Sequence, residues 1–102
     1  MKDRHAYRQE ARILRLLANE ARLMILMRLH QSCCSVGELV DVVGLRQSTV
    51  SKHLALLRAH GLVADRRQGT RVVYRLLTPC VLDFLTCVTR IIHERKAGDP
   101  RR

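Results

Sequence analysis

The chain has 102 residues, 47% of them hydrophobic, which is enough for one domain with one small core. Nineteen Lys and Arg against nine Asp and Glu give a formal net charge of +10, which favours a polyanionic partner such as a nucleic acid. No uncharged apolar run approaches the ~18–20 residues that a membrane-spanning helix needs, so that class is excluded.

The first residues are charged and polar as far as Arg12, without the apolar segment of a secretory signal peptide. Four cysteines in a chain of this kind favour reduced thiols over a disulfide framework. We therefore expect a cytoplasmic protein with no membrane association.

The first two predicted elements are helices. Residues 6–17 place leucine and isoleucine among arginines and predict a first helix. Asn19 is placed to cap a second helix that runs to about His30. On that helix we expect three side chains to face the core: Leu23, Leu26 and Met27.

A third helix is predicted to begin sharply after Ser35. Ser35 and Glu38 have the Ser-x-x-Glu spacing of a capping box, in which each side chain accepts the backbone N–H of the other residue. Apolar residues follow, and Gly44 is placed to end this helix.

Residues 44–61 predict a turn and a fourth helix, which together with the third helix make a helix-turn-helix. Polar side chains fill its early positions, while Leu54, Leu56 and Leu57 come later. Such a helix can present its N-terminal end to the DNA major groove and pack its distal half on a core. The alternative for the polar start is a set of helix-capping residues. The candidate DNA-binding residues here are Gln47, Ser48, Thr49, Ser51, Lys52 and His53.

Residues 62–67 and 71–77 have the alternating pattern of two strands, joined by a basic turn that contains Gly69. A basic hairpin next to a helix-turn-helix is expected to lie along the DNA backbone or the minor groove, where narrow A·T tracts attract arginine. The alternative is an ordinary exposed hairpin. The candidate DNA contacts of this wing are Arg66, Arg67, Gln68, Thr70 and Arg71.

Pro79 suits the first turn of a final helix, whose apolar stripe is broad for so small a domain. A helix–helix dimer interface would explain that width. Residues 1–95 are therefore predicted to form one DNA-binding and dimerisation domain, and residues 96–102 a flexible basic tail. The stripe consists of Val81, Leu82, Phe84, Leu85, Val88, Ile91 and Ile92.

This succession of elements resembles the ArsR/SmtB family of dimeric winged-helix repressors, over roughly residues 10–94. The motifs that carry the resemblance are Leu17-Ala-Asn-Glu-Ala-Arg-Leu-Met-Ile-Leu, Ser35-Val-Gly-Glu-Leu, Gln47-Ser-Thr-Val-Ser-Lys-His-Leu-Ala-Leu-Leu, Gly61-Leu-Val and Arg67-Gln-Gly-Thr-Arg-Val-Val-Tyr-Arg-Leu. It implies a mainly α fold with a small β-hairpin (α+β), element order ααααββα, and a homodimer joined through its first and last helices. It also implies that the partner is a double-stranded DNA operator.

The chain departs from the family at several positions. Arg46 stands where many relatives carry a small capping residue, and arginine cannot cap. The cysteine and histidine patterns that three branches of the family use to sense arsenic, zinc or persulfide are absent. The arsenic-sensing positions hold Ser35 and Gly37, the zinc-sensing positions hold Thr78, Cys80 and Ile91, and the persulfide-sensing positions hold Met27 and His93.

Four cysteines remain as candidate inducer ligands. Cys33 and Cys34 are adjacent in the predicted loop before the third helix, where both thiols could face one soft ion such as As(III), Sb(III), Cd or Pb. By analogy with the family arrangement, His93 is a closer companion to these two cysteines than Cys80 is. Cys80 and Cys87 are seven residues apart, about 10.5 Å along one helix, and are either ligands or small core or interface residues.

These features predict a repressor that needs no cofactor to bind an inverted-repeat operator and that a thiol-directed inducer releases. A repressor that senses oxidants or reactive sulfur through cysteine oxidation is the alternative, and a winged helix that binds proteins rather than DNA is a weaker one. The sequence contains no acid–base pair, nucleophile constellation or phosphate loop, so we do not expect an enzyme.

Overall fold

Five helices and three strands make up residues 2–96, the part of the chain that the computed structural model describes. The mainly α prediction with a hairpin wing is confirmed, with one additional short strand. The predicted tail lies outside the described residues except for Lys96, which ends the last helix. The elements are α1 (Arg4–Leu17), α2 (Glu20–Gln31), β1 (Cys34–Ser35), α3 (Val36–Val43), α4 (Gln47–Ala59), β2 (Val63–Gln68), β3 (Arg71–Leu76) and α5 (Cys80–Lys96).

Local hydrogen bonds fix the ends of α2 and α3 where the sequence predicts them. The Asn19 side chain accepts the backbone N–H three residues later at 3.0 Å. Ser35 and Glu38 form the predicted capping box, with reciprocal bonds of 3.0 and 3.3 Å. Gly44 ends α3 with φ +75°, a left-handed conformation that glycine adopts without strain.

The sheet is antiparallel with strand order β1-β3-β2. The predicted hairpin pairs Val63 with Leu76 at its base and Gln68 with Arg71 at its tip. The third strand, β1, adds the pairs Cys34–Tyr74 and Ser35–Val73 on the other edge of β3. The prediction of a loop for this segment is therefore wrong at Cys34. The sequence does not reveal the strand, because two residues are too few to show an alternating pattern.

The core lies between α2, α3, α4 and the base of the wing. The prediction for α2 is right for Leu26 and wrong for Met27, which is 47% exposed. Leu23 is half-buried and packs against the core, while Ile25 and Leu29 take the inner positions. The fully buried side chains are Ile25, Leu26, Cys34, Leu39, Val50, Leu54, Leu57 and Val63.

An apolar surface remains uncovered on α1 and α5. Phe84 and Ile91 are 53% and 56% exposed, and Tyr7 and Leu14 of α1 are comparably open. Leu82 is the one residue of the predicted α5 stripe that is buried in the described chain. Exposed apolar patches of this kind mark association surfaces, as the predicted dimer requires.

A groove of about 470 Å³ runs between α2 and α5, next to this surface. Met27 and His30 line one side of it, and Leu85 and Ile92 line the other. Separately, none of the helices within residues 2–96 combines the length and apolar character that crossing a membrane requires.

Candidate nucleic-acid interface

The start of α4 presents polar side chains to solvent and apolar ones to the core. Gln47, Ser48, Ser51 and Lys52 are exposed, and Thr49 is half-buried. On the opposite face of the same helix, the core residues of α4 have no exposed surface. The predicted two-sided helix is therefore formed, with its polar side available to a ligand.

No side chain caps the N-terminus of α4. Arg46 occupies the N-cap position with extended backbone (φ −63°, ψ 149°) and makes no side-chain cap bond. The first backbone N–H groups of the helix thus lack a capping side chain, and together with the helix dipole they favour an anion such as a phosphate.

His53 differs from the other candidates on α4, because its side chain is held against the protein. Its Nδ1 accepts a hydrogen bond of 3.1 Å from Nε of Arg22 on α2. Burial, and then the charge of Arg22, lower the pKa of His53. Nδ1 is therefore engaged within the protein, so a contact of His53 with DNA would fall to Nε2, and that role stays a prediction.

The wing carries its predicted polar residues on the outside. Its tip is a two-residue turn of Gly69 and Thr70, closed by the last pair of the hairpin, and Gly69 has φ +63°. A positive φ at this position favours glycine. The predicted wing contacts Arg66, Arg67, Gln68, Thr70 and Arg71 are all exposed.

Two ion pairs connect the wing to the helix-turn-helix. Arg71 at the start of β3 donates to Glu38 of α3 at 2.8 Å, and Arg58 of α4 donates to Asp65 of β2 at 2.9 Å. Hydrogen bonds from Ser35 lower the pKa of Glu38, with a smaller effect from Arg71. Exposed pairs of this kind contribute little stability, so their main effect is to orient the wing relative to α3 and α4.

The adjacent cysteines occupy opposite environments. Cys33 is exposed, whereas Cys34 is fully buried in β1 and its thiol donates to the carbonyl of Ser32 at 3.5 Å. Burial raises the pKa of the Cys34 thiol, and the nearby Arg28 opposes that effect only in part. The two thiols therefore do not face one common ion in this conformation.

The remaining candidate ligands lie on α5, where Cys80, Cys87 and His93 are exposed. Across residues 2–96, no three His, Cys, Asp or Glu side chains are grouped so that they could hold a metal ion. One protomer thus does not assemble the candidate inducer ligands, and their role stays a prediction.

Comparison with known proteins gives the same architecture. A family described as "Helix-turn-helix domain" matches residues 17–66. The uncharacterized HTH-type transcriptional regulator Rv0081 of Mycobacterium tuberculosis is 34% identical over 93 residues, which cover 90% of this chain and 82% of that protein. Its crystal structure matches with a TM-score of 0.78 over 99% of this chain and 100% of that one. The transcriptional activator HlyU of Vibrio cholerae is 47% identical over 78% of this chain and 73% of its own length.

Two further structures are similar. One is the solution structure of the homodimeric winged helix-turn-helix DNA-binding domain of Mb0332 from Mycobacterium bovis, described as a possible ArsR-family transcriptional regulator. It is 33% identical, with a TM-score of 0.76 over 98% of this chain and 94% of that one. The other is the transcriptional repressor BigR from Xylella fastidiosa, 31% identical with a TM-score of 0.71 over 82% of this chain and 86% of that one.

Proposed function

Since the chain belongs to the ArsR/SmtB family of winged helix-turn-helix regulators, which bind DNA as homodimers and are not enzymes, we propose that it is an operator-binding repressor. We propose further that a thiol-directed inducer, trivalent arsenic or another soft ion, releases it. The observation that carries the first part is that polar side chains at the start of α4 and basic side chains of the wing are exposed.

On this surface, the N-terminal end of α4 enters the major groove and the wing follows the flanking backbone. Gln47 suits adenine, serine and threonine hydroxyls suit bases or phosphates, and Lys52 suits a phosphate. Two copies related by a two-fold axis would recognise an inverted repeat with half-sites about one turn, ~10 bp, apart.

The support for a thiol-directed inducer is the position of Cys33 and Cys34 next to the wing. One soft ion can bind both thiols only if Cys34 leaves its buried place in β1. That movement would break the pairing of β1 with β3 and disturb the Ser35 cap of α3. An inducer that binds only the opened state would therefore weaken DNA binding through a coupling of about 1–3 kcal/mol.

Cysteine oxidation is the second candidate trigger. Cys33, Cys80 and Cys87 are exposed free thiols that a two-electron oxidant can reach in the isolated protomer. In this case the adjacent pair would not need to act together, and substituting Cys34 alone would leave the response intact.

The test is fluorescence anisotropy of the reduced, metal-free protein on labelled DNA from immediately upstream of its gene, titrated with arsenite. We expect tight, salt-dependent binding that arsenite reverses in the wild type and in Cys80→Ser/Cys87→Ser, but not in Cys33→Ser/Cys34→Ser. Absence of sequence-specific binding by the wild type would contradict the repressor. Binding that ignores arsenite but responds to peroxide would favour the oxidation alternative.

A reporter gene placed behind the same DNA determines the direction of regulation. Repression predicts that the reporter is silent when the protein is present and is expressed after arsenite is added. Expression that requires the protein would instead indicate an activator, as HlyU is named.

A further inference from the structure

The side chain of Arg22 connects three helices. Arg22 lies in the first turn of α2, and its Nε donates to Nδ1 of His53 on α4 at 3.1 Å. Its Nη1 donates to the backbone carbonyl of Leu16, near the C-terminal end of α1, at 2.9 Å. Asn19 holds the backbone of Arg22 in place by accepting its N–H at 3.0 Å.

The hydrogen-bonding chemistry of Arg22 and His53 fixes the geometry of this connection. Arginine presents several N–H donors in one rigid plane, so a single side chain can satisfy two acceptors at fixed angles, which a lysine ammonium does not do. Nδ1 can accept the N–H of Arg22 only if the imidazole is neutral with its proton on Nε2. Burial lowers the pKa of His53 and thereby favours this neutral form.

The two acceptors belong to parts of the molecule with different tasks. Leu16 is buried at the end of α1, the helix whose Tyr7 and Leu14 belong to the uncovered dimer surface. His53 directly follows Lys52 on α4, where Ser48 and Lys52 are exposed and available to DNA. Because Nε and Nη1 of Arg22 both donate to acceptors within the protein, we expect its side chain to act on the DNA surface through α4.

We propose that Arg22 is a positioning residue for DNA binding, which sets the orientation of α4 relative to α1 and so links the recognition helix to the dimer contact. The inference rests on the proposed operator binding and adds a route by which a change at the dimer contact reaches the DNA. Two charged groups of α2, Arg22 and Glu20, lie near His53. Glu20 and His53 line one groove of about 330 Å³, to which α3 contributes the apolar Val43.

Three substitutions test this role. Arg22→Lys keeps the positive charge and removes the planar guanidinium with its several N–H donors. His53→Asn keeps an acceptor close to the position of Nδ1, and His53→Leu removes it. Anisotropy on the operator duplex would be measured against salt and from pH 8 to 5.5, with helical content and dimer mass checked for each variant.

We expect Arg22→Lys and His53→Leu to weaken operator binding about tenfold or more, with folding, dimerisation and the salt slope unchanged. His53→Asn should bind nearly as well as the wild type. The wild type should also lose affinity relative to His53→Asn as the pH falls through the pKa of His53, which burial lowers below its ordinary 6.5, because the protonated ring cannot accept from Arg22.

Three results would overturn the inference. The first is wild-type affinity in Arg22→Lys. The second is a salt slope reduced by that substitution, because it would mean that Arg22 contacts a phosphate. The third is equal loss in His53→Asn and His53→Leu, which would make His53 a direct reader of DNA. If Arg22→Lys does not fold, the two His53 variants decide alone. Absence of wild-type binding would instead contradict the proposed function.

Discussion

The guanidinium of Arg71 lies 2.8 Å from the carboxylate of Glu38, although the two residues are 33 positions apart in the chain. The same carboxylate oxygen also accepts from the backbone N–H and the hydroxyl of Ser35, both at 3.0 Å. One oxygen atom thus joins the start of α3 to the first residue of β3. The capping box of α3 therefore also anchors the wing.

The pH dependence of stability should reveal this carboxylate. The pKa of Glu38 is lowered below 4.5, so its ionised form stabilises the fold above pH 4.5 and that contribution is lost as the pH falls through the folded-state value. We expect the melting temperature of the wild type to fall more steeply below pH 4.5 than that of Glu38→Gln, which retains a capping partner without the charge. Circular dichroism melts from pH 7 to 3 measure this difference. Parallel curves of melting temperature against pH for the two proteins would contradict the prediction.

Two glycines of the helix-turn-helix should respond in opposite directions to alanine. Gly44→Ala forces a side chain into φ +75° and should destabilise the protein by about 1–2 kcal/mol. Gly37 lies inside α3, and a Cβ there would meet only the Ser35 hydroxyl at an ordinary 3.9 Å. Gly37→Ala should therefore stabilise by up to about 1 kcal/mol. Urea unfolding at one protein concentration measures the free energy of unfolding of both variants. Equal changes in the two variants would show that backbone conformation does not decide their stability.

The salt dependence of operator binding should identify the phosphate contacts. Removing one contact from each protomer of a dimer should change the slope of log K against log salt by about 2. We expect this change for Lys52→Ala on α4 and for Arg67→Ala on the wing. Arg90→Ala, an exposed arginine on α5, is the matched control and should leave the slope unchanged. Equal slopes for all three variants would rule out the assigned surface.

A charge on the exposed part of α5 should separate the dimer. Phe84 is 53% exposed in the protomer, so Phe84→Glu should leave the core of the domain intact. It should, however, place a buried, unpaired charge in the interface of the dimer. Sedimentation should then show a monomer that binds the operator weakly, because the two half-sites are no longer engaged together. Arg90→Glu adds the same side chain next to the apolar surface and should remain dimeric. A dimeric Phe84→Glu would exclude Phe84 from the interface.

The two adjacent cysteines should react with alkylating reagents at different rates. Cys33 is exposed, whereas Cys34 has no exposed surface and its pKa is raised by burial, which reduces its thiolate fraction. Mass spectrometry after timed iodoacetamide treatment should find Cys33 modified well before Cys34, and urea should remove the difference. Equal rates in the native protein would mean that β1 opens readily without an inducer.

Much of the fold could be predicted because its signals are local. Asn19, Ser35 and Gly44 fix helix ends through bonds to residues three or four positions away, which sequence spacing reveals directly. The polar start of α4 and the alternating hairpin likewise follow from the periodicity of each element. The basic residues of the wing are exposed, as the sequence predicts, and their contact with DNA stays a prediction.

The sequence by itself thus determined the order of the helices, the hairpin, the basic surface and, by resemblance, the family. The tertiary structure decided that Cys34 is buried, that Met27 lies outside the core, and that the Nδ1 atom of His53 accepts a hydrogen bond from Arg22. These features depend on partners far along the chain: β1 pairs across to β3, and Arg22 meets a histidine 31 residues later. Such contacts exist only after the helices have packed, and no local spacing encodes them.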